Sequence, residues 1–230
     1  MLYSSLQLFK EELLIEKFFH LLNELAPSST FTLEQLSNVL SEKKVFIKDN
    51  EVNTRRLKEV LGIFEAVGYL SFDDNNNKYK WEGKSNLNDR IQKFYNGNVG
   101  PTYHTHKNRS NLFKLCRRVI VLFLKENLKD MTYEYIIDQT CSEDEEKIWK
   151  INPTKKDTRW NAMYTIGTTL SVVGFFERTH PFSRDKKNKA GLRWKHDINQ
   201  DTLNEYEQIS CRDLCIKMGL LGETSGLKFS

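Results

Sequence analysis

The side chains best suited to chemistry in this sequence are cations, and they come in groups. Arg55, Arg56 and Lys58 follow Asn53 and Thr54, and Lys155, Lys156 and Arg159 form a second group. Lys107, Arg109, Lys114, Arg117 and Arg118 form a third. In a fourth, Arg178, Arg184, Lys186, Lys187, Lys189, Arg193 and Lys195 share residues 178–195 with a single acid, Asp185. Guanidinium and ammonium groups at this density neutralise phosphates, and arginine can also face the O6 and N7 acceptors of guanine with two parallel hydrogen bonds. The chemistry indicated is the binding of a polyanion. A catalytic alternative lacks its parts. The sequence has no glycine-rich phosphate loop, no serine or cysteine nucleophile beside a base, and no histidine and glutamate metal signature. Ser142 to Glu146 is acidic, but consecutive carboxylates do not converge on an ion. Cys116, Cys141, Cys211 and Cys215 are too scattered for a zinc ribbon, and His104 and His106 form only a pair. The reading is a non-enzyme without metal or cofactor.

The formal charge over 230 residues is only +4, so the distribution matters more than the sum. Residues 1–83 carry ten basic and thirteen acidic side chains, 84–118 carry eight and one, and 119–230 carry seventeen of each. The longest apolar run is the six residues Val119 to Leu124, where a membrane span needs about twenty. No membrane partner is expected. Lys10, Glu11, Glu12, Glu16 and Lys17 interrupt the apolar N-terminal residues, which argues against a secretory core segment.

The elements that must position these cations follow from periodicity. Phe9 to Leu25 reads as an amphipathic helix through Leu14, Phe18, Leu21, Leu22 and Leu25. Thr30 or Thr32 caps a short second helix through Leu33, Leu36, Val39 and Leu40. Asn53 or Thr54 starts a third, through Leu57, Val60, Leu61, Phe64 and Val67, which Gly68 ends. The period then changes to two: Leu70 and Phe72, then Tyr79 and Trp81, flank the turn-forming Asp74 to Asn77. That alternation places Tyr79, Trp81, Phe175, Phe176 and Trp194 in a core rather than on a base-stacking surface. Three helices followed by a hairpin is the winged-helix order, in which the second and third helices make a helix-turn-helix.

The second half repeats the first. Leu112 to Leu128, then Thr132 through Ile137, then Thr158 to Val173 read as helices, with Gly174 as the stop. The third helices superpose at a spacing of 106 residues, Leu57 on Met163, Val60 on Ile166, Phe64 on Leu170, Gly68 on Gly174 and Tyr69 on Phe175. Trp81 and Trp194 are 113 apart, so the second hairpin is seven residues longer, and its extra tip is basic. The expected class is α+β, mostly helical, with two tandem winged helices. These are an acidic domain at 1–83, a partly basic linker at 84–109, a domain with a basic wing at 110–197, and a helical tail at 198–230.

The segment Asn53 to Gly83 resembles the DNA-binding domain of the E-two-factor/DP family of winged-helix transcription factors. There a third helix beginning Arg-Arg-x-Tyr-Asp leads into an apolar turn, a hairpin, and a Trp followed by a basic residue and Gly. Arg55 and Arg56 fall on the family's arginine pair, while Lys58 and Glu59 stand at the Tyr and Asp positions. In the second copy Asn161 and Ala162 replace the arginines, Tyr164 keeps the tyrosine, and Thr165 replaces the acid. Two copies in one chain are similar to the atypical members. The resemblance implies a nuclear protein that binds double-stranded DNA, with base contacts from the Arg55 and Arg56 pair.

The candidate DNA-binding residues are Asn53, Thr54, Arg55, Arg56, Lys58, Lys107, Arg109, Arg117, Arg118, Lys155, Lys156, Arg159, Tyr164, Arg184, Lys186, Lys187 and Lys189. Two roles fit: a transcription factor, or a non-catalytic accessory subunit of a nuclear DNA-modifying complex such as a DNA methyltransferase. The alternative is an assembly scaffold that holds other protein subunits through the acidic first domain or the apolar residues of Leu203 to Leu221, without touching DNA.

Overall fold

Hydrophobic spacing and capping chemistry produce a similar order of elements in the two halves, the first half adding a short two-stranded sheet between its second and third helices. The computed structural model describes residues 5–26, 28–48, 51–83, 111–126, 128–141, 147, 151–152, 154–179 and 190–195. The first half runs α1 (Ser5–Asn23), β1 (Thr30–Phe31), α2 (Leu33–Glu42), β2 (Ile47–Lys48), β3 (Glu51–Val52), α3 (Thr54–Ala66), β4 (Leu70–Asp73) and β5 (Lys78–Trp81). The second runs α4 (Asn111–Glu126), β6 (Asp130–Thr132), α5 (Tyr133–Thr140), α6 (Thr154–Val172), β7 (Phe176–Arg178) and β8 (Gly191–Trp194). The result is a mixed α+β fold, mostly helical, with six helices and two three-stranded antiparallel sheets among the described residues. No helix among them is long and apolar enough to cross a membrane.

The caps explain where the helices begin. Thr32 accepts from the Gln35 amide while the Gln35 side chain accepts from the Thr32 amide, a reciprocal box worth about 1 kcal/mol. Asn53 accepts from the Arg56 amide, and Thr132 from that of Tyr135. Gly68 and Gly174, at φ of 77° and 81°, supply the left-handed residue that turns each third helix into its hairpin.

In both sheets the strand from between the first and second helices pairs with the last strand, giving orders β1-β5-β4 and β6-β8-β7. Phe31 lies opposite Tyr79 and Leu70 opposite Trp81; Met131 lies opposite Leu192 and Phe176 opposite Trp194. The short strands β1 and β6 have no alternating pattern of their own. They exist because a hairpin edge is beside them.

Each sheet lays its aromatics on its first helix. Phe19 meets Trp81 edge-on at 6.3 Å, and Phe123 stacks on Trp194 at 6.1 Å. The two halves then interlock. The first helix of each lies on the third helix of the other, α1 against α6 and α3 against α4, and α3 also touches α6. One hydrophobic cluster runs through both halves, from Ile15 and Phe18 through Phe64 and Ile120 to Leu170 and Trp194. The reciprocal contacts are those of a two-fold dimer drawn into one chain.

Candidate nucleic-acid interface

The start of α3 presents the first cation group. Thr54, Arg55 and Lys58 are exposed, and the Arg55 side chain is 91% accessible. The 3.6-residue period puts Leu57, Val60, Leu61 and Phe64 in the core, so Arg55 and Lys58, three apart, share the outer face. Arg55 Nε donates to Glu59 Oε1 at 3.2 Å. The Thr54 hydroxyl donates to the Val52 carbonyl and steadies the entry into the helix.

Arg56 turns the other way. Its side chain is 17% accessible, with Nη1 donating to Glu59 Oε2 at 2.8 Å and Nη2 donating to Thr165 Oγ1 at 3.0 Å. Thr165 belongs to α6, so this arginine ties the two third helices together. Of the expected pair, one member is on the surface and the other is a cross-half tether.

Three described cations of the second half, Arg117, Arg118 and Arg159, are drawn inward. Arg117 is 5% accessible, with its guanidinium 5.6 Å from the centre of the Phe113 ring. Arg118 Nη1 and Arg159 Nη2 both donate at 3.1 Å to the carbonyl of Thr140, the last residue of α5. They satisfy a helix C-terminus where cations are favoured by the macrodipole. Tyr164 is 2% accessible, and its hydroxyl accepts from Arg178 Nη1 at 3.1 Å. Arg178 in turn donates through Nη2 to both carboxylate oxygens of Glu12 on α1, at 2.5 and 2.6 Å. Burial pulls the Arg178 pKa down, but the charge and hydrogen bond of Glu12, together with the nearby Tyr164 and Tyr133 phenols, hold the group above its ordinary value. Arg117 and Tyr164, expected at the surface, are both buried.

Lys155 and Lys156 lie in the first turn of α6. Lys107, Arg109, Arg184, Lys186, Lys187 and Lys189 lie outside the described residues, as do the linker, the basic hairpin tip and the C-terminal tail. At the described base of that hairpin, Arg193 Nε donates to Asp130 Oδ1 at 2.7 Å and Lys195 is exposed. The hydrogen bond from Arg193 to Asp130, followed by that carboxylate's charge, raises the Arg193 pKa.

The first hairpin carries opposite charge at its tip. Asp73 accepts from the Asn76 side chain and from the amides of Asn75 and Asn76, which holds its carboxyl below the usual range. Its negative charge therefore persists at neutral pH and opposes approach of a phosphate. Among the described residues no group of three or more His, Cys, Asp or Glu side chains is placed to hold a metal.

Periodicity missed the Glu12, Arg178 and Tyr164 network, although one signal for it was present. In β7 the period of two puts Arg178 on the same face as buried Phe176, so a charge there had to find an internal partner. That the partner is Glu12, 166 residues earlier, has no local signature.

The chain matches no protein-family model, no curated protein and no solved structure.

Proposed function

We propose that each half is a winged helix and that the protein binds double-stranded DNA as a non-catalytic nuclear factor. The reading rests on one observation above the rest. A helix, a strand, two helices and a hairpin recur in both halves with the same order in their three-stranded sheets, the first half adding the β2-β3 pair between its second and third helices, and the first copy exposes Arg55 and Lys58 at the start of its third helix. That is where a helix-turn-helix meets a major groove. The basic residues of 178–195 beyond the internal Arg178 add phosphate affinity, and the acidic first hairpin stands aside from the duplex.

Fluorescence anisotropy with a labelled duplex across a salt series tests this. Each phosphate neutralised steepens the log-log salt dependence by about 0.9. Replacing Lys186, Lys187 and Lys189 by alanine lowers the slope, by about 2 to 3 if all three meet phosphates. No binding at about 50 mM salt, where electrostatic association is strong, would refute the reading.

One observation favours assembly as a second role. Residues 163–170 of α6 are buried on every side, so the centre of the molecule is a packing element rather than a reading element. This suits an accessory subunit whose partners use the acidic half or the tail beyond residue 197, and mass spectrometry of proteins recovered with the tagged chain from nuclear extract tests it.

A further inference from the structure

On the DNA reading proposed above, we infer that a single helix, α3, reads the duplex, and that α6 is excluded from the groove by the way the halves interlock. The two third helices correspond at a spacing of 106 residues, so Arg55 corresponds to Asn161, Lys58 to Tyr164 and Glu59 to Thr165. In α3 the first two of these positions are exposed cations. In α6 the position of Lys58 is filled by a tyrosine at 2% accessibility, roofed by Arg178, which is itself clamped by Glu12 of α1. The position of Glu59 is filled by buried Thr165, which receives Arg56.

Side chains that are buried and hydrogen-bonded cannot also present donors to base edges 3 Å away. Nor does α6 begin where α3 begins. It extends about one and a half turns further, from Thr154 to Arg159, so its free end is not the residue pair that corresponds to Arg55 and Lys58. The architecture is a pseudo-dimer, yet the surface is one-sided. The ligand is then an asymmetric duplex site read over one groove segment, with the second half adding backbone contact and no second reading head. An inverted repeat is not required.

The test uses the full chain, a random duplex library for selection, and anisotropy on the duplexes it enriches. The expected site is a single unrepeated motif. Arg55→Ala with Lys58→Ala reduces the preference for that motif over a scrambled duplex by about tenfold, the order expected for losing a bidentate arginine contact. Thr158→Ala with Asn161→Ala, at the accessible start of α6, leaves the preference within about twofold, and melting curves for both variants confirm folding. Enrichment of an inverted repeat, or an equal loss of preference in the α6 variant, would overturn one-sided reading while leaving DNA binding intact. Binding of wild type to all sequences alike would overturn it in the same way. Failure of wild type to bind any duplex at low salt removes the DNA reading itself, and this inference with it.

Discussion

The helices α3 and α6 occupy equivalent places in the two halves and have opposite fates. α3 keeps Thr54, Arg55 and Lys58 in solvent at its start and is buried on every side only from Val60 to Phe64. Eight consecutive residues of α6, from Met163 to Leu170, have no exposed side. The reason is the company each keeps: α6 is packed by α1, α3, α4 and α5 and by its own hairpin, so it is the axis of the whole molecule. Duplicating a fold does not duplicate a surface. When two copies interlock, one third helix can become the core of the pair and give up its access to a ligand.

The largest effect expected from breaking this arrangement comes from the shared cluster. Phe64→Ala or Leu170→Ala, at fully buried sites in the two third helices, should each cost about 3 to 5 kcal/mol. Because one cluster spans both halves, fluorescence and circular dichroism should report a single denaturant transition in wild type and in either variant. Two separate transitions would show that the halves are independent.

Next comes the cross-half ion pair. Arg178→Ala strands the Glu12 carboxylate, at a cost of about 2 kcal/mol once the partial exposure of both side chains is allowed for. A double-mutant cycle with Glu12→Ala, read by urea midpoints, should give a coupling of about 1 kcal/mol or more. Additive losses would contradict the bond.

The two arginines of α3 sharpen the comparison in another way. Arg56→Ala should lower stability by about 1 kcal/mol, through lost bonds to Glu59 and Thr165, and leave duplex affinity nearly unchanged. Arg55→Ala should do the reverse. Tyr69→Phe makes the first half resemble the second, where Phe175 stands, and should cost about 1 kcal/mol by removing the donor to the Val173 carbonyl at 3.1 Å.

The smallest effect is expected at Tyr133, whose buried hydroxyl has no hydrogen-bond partner among the described residues and lies against the backbone of Gly167. Tyr133→Phe should change stability by about 0.5 kcal/mol or less at neutral pH, since little is lost with an unbonded hydroxyl. Burial pushes the phenol pKa well up, so the folded form keeps its proton where the unfolded chain releases it. Its contribution is complete below about pH 10 and falls above it by about 1.4 kcal/mol per pH unit. The phenylalanine variant should therefore lose stability less steeply in alkali, which urea titrations at pH 9 to 11 would show.

Much of the fold was legible in the chain. The spacing of Leu57, Val60, Leu61 and Phe64 and the cap at Asn53 located α3 to within a residue, because both signals are local. So were α2, the start of α5 and the first hairpin, while α5 runs three residues past Ile137. α6 starts four residues earlier than its apolar pattern, since Thr154 to Asp157 add no apolar face. The strands β1 and β6 were not legible, because two or three residues form a strand only when an edge is offered. The exposure of Thr54, Arg55 and Lys58 was legible, because local helix geometry leaves them outside. The burial of Arg117 and Tyr164 was not legible, since it depends on neighbours far away in sequence.

Taken alone, the order of residues determined most of the helices, their caps and the repeated apolar spacing, because these depend on contacts within a few positions along the chain. The tertiary structure alone decided which copy faces outward. Leu61 and Gly167 are equivalent by spacing, yet a Cβ at Gly167 would collide with the Tyr133 hydroxyl, and Arg56 and Arg178 find partners 109 and 166 residues away. Burial and charge pairing at that range depend on how the halves pack, and no periodicity in a linear sequence records it.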